Sequence, residues 1–313
     1  MENSNISISV KNTDRRSKTG TLCCILGAVC WGFSGTCSQA LFQHIPVNAT
    51  WVTAVRMLAA GLLILAFDAL KQKKRDGTFS FSEFSAPMRD RKSCVLILLF
   101  AIAGLAFCQL AYLDAIKYTN SGTATVLQNL SVVMIALFVC ITSRTMPAAR
   151  QVVSILLALV GVWLVATGGR PGSMVLTPRG LFWGLVAAVG AMCYTLLSRA
   201  PVVLWGSIRV TGWGMMIGGI LMAFISKVWQ TPHGMDAEAV ILLVIIVAVG
   251  TAGAFILFLR GINEVGPVKA SVFGCMEPLT AALLSAVWLG SSFSVADIAG
   301  FAFILSTIFI LRK

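Results

Sequence analysis

The chain is written in apolar runs of about 20 residues, separated by short polar links. Ten such runs can be read, at about 20–42, 50–70, 94–116, 121–141, 149–168, 179–199, 208–227, 237–259, 268–289 and 294–311. About 20 apolar residues cross the roughly 30 Å hydrocarbon core of a bilayer as one helix. Within that core every backbone N–H and C=O needs an internal partner, so only helices or closed barrels cross it. A barrel would alternate apolar and polar residues in segments of about 10, and these runs do not. The fold class is therefore an all-α polytopic membrane protein with ten transmembrane helices. Composition agrees: of 313 residues, 58% are hydrophobic and 12% charged, against about 25% charged in soluble domains. The first run is longer than the 7–15 residues of a signal-peptide core, so it reads as an uncleaved span behind a polar tail, residues 1–19.

Net charge is +12, which in a soluble chain would raise a nucleic-acid partner. The placement of the cations argues otherwise. With the N-terminus on the cytoplasmic side, 19 of the 24 Lys and Arg fall in cytoplasmic segments, seven of them between Lys71 and Lys92. Only Lys117, Arg170, Arg179 and Lys227 fall outside, and Arg56 lies within a span. This is the positive-inside pattern. It predicts cytoplasmic termini and contact with lipid headgroups, with no need for nucleic acid.

The chain repeats itself. Shifted by 146 residues, 104–138 lies on 250–284 without a gap: Gly104 meets Gly250, Ala106 meets Ala252, Ile116 meets Ile262 and Ala124 meets Ala270. The first span lies on the sixth at a shift of 160. The chain thus divides into repeats of five spans, 20–168 and 179–311. An odd number of spans makes the second copy enter from the opposite face, giving the inverted-topology repeats common in secondary transporters.

At these residues the chain resembles the drug/metabolite transporter superfamily, in particular its ten-helix EamA-type exporters of the bacterial cytoplasmic membrane. The matching pieces are "AVCWGFSG" in span 1, "TAVRMLAAGLL" in span 2, "AIKYTNSGTATVLQNL" across spans 3 and 4, and "GTAGAFILFLRGINEVGPVKAS" with "MEPLTAALLSAVWLG" across spans 8 and 9. Family members often end spans 4 and 9 with Leu-Gly-Glu; here those triplets are Ser143-Arg144-Thr145 and Leu289-Gly290-Ser291. The resemblance implies efflux of small metabolites, such as amino acids or related compounds.

Candidate functional residues are the polar groups at mid-depth. Glu277 sits about ten residues into span 9 beside Pro278. An acid at the bilayer centre costs about 3 kcal/mol to insert and should face the bundle interior. It can serve as a proton site or a contact for a substrate cation, or it can hold a proline-broken turn. Arg56 in span 2 can bind a substrate carboxylate, snorkel to an interface or pair with an acid. Span 4 offers Gln128, Asn129 and Ser131, the last being the repeat mate of Glu277. Gln109 and Tyr112 in span 3 are three apart and share a helix face. Trp31, and Tyr194 in span 6, supply aromatic walls. Each can equally be a helix–helix packing or hydrogen-bonding residue.

These groups suit a secondary transporter working by alternating access, with a small-molecule substrate and protons as a possible coupling ion. A membrane-embedded enzyme would need convergent catalytic groups, and the two histidines, His44 and His233, fall in predicted loops. The alternative is a scaffold or receptor without transport, for which an inverted repeat has no purpose. The nine cysteines form no C-x-x-C pair and lie mostly within spans, where they read as small packing residues. No metal or cofactor is called for.

Overall fold

In the computed structural model the backbone is described from residue 2 to 312, and side chains from residue 18 onward except those of 267, 268, 271, 312 and 313. The tail, residues 1–19, lies almost wholly outside the described side chains. Among the described residues nine helices are long and apolar enough to cross a membrane: Lys18–His44, Ala49–Asp76, Arg91–Tyr118, Ser121–Thr142, Ala149–Thr167, Pro178–Trp205, Ser207–Ser226, Ala237–Val265 and Val272–Leu289. The last continues from the short helix Pro267–Gly274, and the shorter apolar helix Val295–Leu311 takes the place of the tenth span. Several run past the apolar stretch that marks them. Span 2 continues through Lys71–Arg75, and span 6 reaches Trp205, because a helix that satisfies its own backbone need not stop where the hydrocarbon stops. The basic 71–93 connection is part helix, with single turns at Phe81–Phe84 and Ala86–Arg89.

The link chemistry is local. Asn120, Thr177 and Asp236 begin spans 4, 6 and 8 by accepting from the amides of Thr123, Gly180 and Ala239, which satisfies N–H groups the helix leaves free. The Ala239 amide, with His44, holds the Asp236 carboxyl below its usual range. Spans 4 and 9 end alike: Arg144 (φ 52°) and its repeat mate Gly290 (φ 66°) both turn left-handed.

The repeat predicted from the sequence is visible in packing. A methyl group on Gly104 of span 3 would meet the backbone of Tyr194 in span 6 at 2.9 Å. Shifted by the two repeat offsets, the same contact is Gly250 of span 8 against Ser34 of span 1, and it is there. Likewise Gly20 abuts Glu264 and Val265, while Gly180 abuts Tyr118 and Thr119. Spans 1 and 6 thus take equivalent places, each against the third and fourth spans of the other repeat. Around this centre, span 2 packs on span 7 and span 5 on span 10.

Each half interrupts its α-helix at matched levels. Residues Phe100–Ala106 of span 3 and Ile245–Gly253 of span 8 wind as π-helix. Span 4 breaks at Asn129–Leu130, and span 9 at Cys275, which is 146 residues after Asn129.

The halves differ in how tightly they close. Residues 34–41 of span 1 are all buried, as are 121–127 of span 4. Of the repeat mates of 34–41 in span 6, 194–200 are half-buried or exposed and Pro201 alone is buried. The start of span 4 packs on spans 1 and 9, and no comparable packing joins the described residues at the start of span 9 to spans 6 and 4. The bundle is closed at the Gln39 end and open at the Arg199 end.

Candidate functional site

A cavity of about 180 Å³ lies at the level of these breaks. All nine sequence candidates line it: Trp31, Arg56, Gln109, Tyr112, Gln128, Asn129, Ser131, Tyr194 and Glu277. They come from spans 1, 2, 3, 4, 6 and 9. The helix interruptions explain why polar groups gather here, since broken turns in a membrane are tolerated where they face a cavity. Trp31 is locked edge-on to Phe255, with ring centres 5.0 Å apart.

Four of the polar candidates are engaged locally. Tyr112 Oη lies 2.9 Å from Thr125 Oγ1, Asn129 Nδ2 donates to Thr125 O at 2.8 Å, and Gln128 Nε2 lies 3.2 Å from Cys108 Sγ. Arg56 is half engaged: Nε donates to Thr251 Oγ1 at 2.7 Å, and Thr251 in turn donates to Ile246 O within the π-helical stretch of span 8. The other end of the guanidinium, Nη1, is buried without a partner. Arg56 is 4% exposed, so it does not snorkel to an interface.

Glu277 has no hydrogen bond or ion pair among the described residues, nor do the side chains of Gln109, Ser131 and Tyr194 have a hydrogen bond there. The cavity therefore holds a cationic donor and a separate carboxylate that do not neutralise each other by contact. Span 9 reaches this place because Gly32 of span 1 has no side chain: a methyl there would meet the Glu277 carbonyl and sit 2.8 Å from Thr280 Cβ.

Leu105, Cys108, Ala191 and Phe255 also line the cavity. Sequence reading misses them because apolar residues in apolar runs carry no sign of which face they occupy. Among the described residues no cluster of His, Cys, Asp or Glu is placed to hold a metal. A second, wider cavity of about 440 Å³ opens where spans 2, 7 and 8 meet the 71–93 connection. There Asp68 pairs with Arg209 at 2.7 Å.

Comparison with known proteins gives one consistent answer. The model of the EamA-like transporter family matches residues 18–167 and again 178–312. An uncharacterized inner membrane transporter of Salmonella typhimurium, YicL, is 33% identical over 94% of this chain and 95% of its own. A WAT1-related chloroplastic protein of Arabidopsis thaliana is 25% identical over 90% of this chain and 67% of its own. One solved crystal structure shares the fold with a TM-score of 0.60 at 18% identity, covering 94% of this chain and 96% of that one. The family and the Salmonella relative are both named as transporters. The chain belongs to the EamA-like transporter family and is a multi-pass membrane transporter.

Proposed function

We propose that this chain is a secondary transporter exporting a small metabolite with both a carboxylate and an ammonium group, an amino acid or related compound, across the cytoplasmic membrane by alternating access. Both termini face the cytoplasm, and protons are the coupling ion. One observation carries the reading: a buried Arg56 Nη1 without a partner and an unpaired Glu277 carboxylate share one cavity. A buried donor left unsatisfied costs about 1–3 kcal/mol or more when charged. A substrate carboxylate at Arg56 removes that cost, and a substrate ammonium at Glu277 completes a second pair. The cavity is smaller than the roughly 300–1,000 Å³ typical of drug-sized ligands, which favours a metabolite. Glu277 is also the one acid among the residues lining the cavity, and it takes a proton when the substrate leaves.

The test is uptake of a radiolabelled metabolite panel into proteoliposomes, with and without an imposed pH gradient, comparing wild type with Glu277→Gln. Gradient-driven uptake of amino acids in wild type and its loss in a folded variant support the reading. Equal gradient-driven uptake in both assigns Glu277 to structure. Transport confined to purely cationic or anionic compounds rejects the two-point site.

A further inference from the structure

At the closed end three spans meet through one polar network, separate from the cavity. The Ser121 amide, first in span 4, donates to Gln39 Oε1 at 2.8 Å. Ser285 Oγ of span 9 donates to the same oxygen at 2.9 Å. Gln39 Nε2 donates to Ser291 Oγ at 3.0 Å, and Ser291 Oγ lies 2.6 Å from Ser285 Oγ. Gln39 is 4% exposed; Ser121 and Ser285 are fully buried. One amide side chain therefore ties spans 1, 4 and 9 together, using both its acceptor and its donor.

The repeat offers no copy of this network. The mates of Gln39, Ser121, Ser285 and Ser291 are Arg199, Pro267, Val139 and Thr145. Proline lacks the amide proton, valine lacks the hydroxyl, and arginine has donors only. What that end does keep is the Thr145 hydroxyl, just beyond the carbonyl end of span 4. A helix C-terminus carries partial negative charge. At the end of span 4 the Val139, Cys140 and Ile141 carbonyls already accept from the Ser143, Thr145 and Arg144 amides. This leaves the Thr142 carbonyl beside the Thr145 hydroxyl, acceptors that suit a guanidinium and not an amide oxygen. Arg199 is exposed in the present state, in which its end is open.

We propose that Gln39 is the gate residue at one end of the pathway, and that its repeat mate Arg199 is the gate residue at the other, closing onto Thr145 and the carbonyl end of span 4 when the halves exchange conformations. This rests on the transport reading above. It adds that the two seams differ chemically: one is a neutral hydroxyl–amide network, the other a cation on a helix terminus. Substitutions at the two sites should therefore bias the protein in opposite directions.

The experiment needs no substrate. In a full-length, cysteine-free background with Asn129→Cys in the cavity, a membrane-impermeant maleimide is applied to sealed vesicles of both orientations. Labelling of the parent through the Arg199 face should dominate. Gln39→Ala should raise labelling through the Gln39 face at least tenfold. Ser291→Ala, which removes only one acceptor, should raise it less. Adding Arg199→Ala to Gln39→Ala should reverse the gain, because the state closed at Arg199 loses its seam. Unchanged sidedness in Gln39→Ala and Ser291→Ala overturns the proposal, as does an equal rise through both faces, which is general loosening. A sidedness shift with no transport of any panel compound upholds the gate while counting against the substrate reading.

Discussion

Gly32→Ala tests whether the close approach of spans 1 and 9 sets the cavity. The added methyl would meet the Glu277 carbonyl oxygen, Thr280 Cβ at 2.8 Å and the Ala281 nitrogen at 3.0 Å, where ordinary contact begins near 3.4 Å. None of these atoms is the end of a flexible side chain, so none can swing away, and span 9 must move back by several tenths of an ångström. Overpacking of this kind costs about 1–3 kcal/mol. Gly274→Ala is the control. It lies on span 9, the other partner of this contact, and its methyl would meet only Phe258 at 3.7 Å. Gly32 is interior to its helix and gains about 1 kcal/mol of helix propensity, whereas Gly274 is the last residue before the break at Cys275 and gains less, so a lower stability of Gly32→Ala can come only from the clash. Thermal unfolding in detergent should place Gly32→Ala roughly 2–10 °C below Gly274→Ala, and uptake should fall more than tenfold as the Arg56–Glu277 spacing changes. Equal melting temperatures and equal uptake would refute the reasoning, because span 9 would then be positioned by something other than this contact.

Thr251→Val removes the acceptor for Arg56 Nε while keeping the side chain's shape; it should destabilise by about 1–3 kcal/mol and weaken substrate binding, whereas Thr251→Ser should restore both. Calorimetry and direct binding read the two effects. Asp68 and Arg209 are 13% and 11% exposed at their side chains, so a double-mutant cycle with alanine should show coupling of roughly 0.5–3 kcal/mol; additive losses in thermal unfolding would mean the pair is incidental. Removing the cap of span 4 by Asn120→Ala should cost about 1 kcal/mol, measured the same way. A reporter fused after Lys313 should read as cytoplasmic, and an external reading would reverse the assigned topology.

The architecture was legible because membrane helices announce themselves by length: of ten apolar runs, nine became helices long enough to span and the last a shorter apolar helix. The repeat was legible because Gly104 and Gly250 had to be small for the same reason, the crossing of spans 1 and 6 over their partners. The site candidates were legible through their cost, since Glu277 and Arg56 have no cheap place in hydrocarbon. The π-helical stretches were not, because Phe100–Ala106 and Ile245–Gly253 contain no residue that demands the wider turn. Nor was the bond from Arg56 to Thr251, which joins residues far apart in sequence on spans that meet only after packing. Cys108 and Phe255 were hidden for a related reason: their facing depends on helix rotation, and their types fit any face.

Those wider turns have a consequence for chain length. A π-turn closes its hydrogen bond over one more residue than an α-turn, so each stretch delays the helix beyond it by about one residue, roughly 100° of rotation. The face of span 3 that carries Gln109 and Tyr112 is thus in phase with the cavity only because of seven apolar residues before it. Deleting a single residue there would remove no functional group, yet it would turn both side chains toward a neighbouring helix. The corresponding deletion in span 8 would carry Phe255 out of register with Trp31. Two stretches that look interchangeable in composition are fixed in count, and each acts as a phase setting for the helix that follows it.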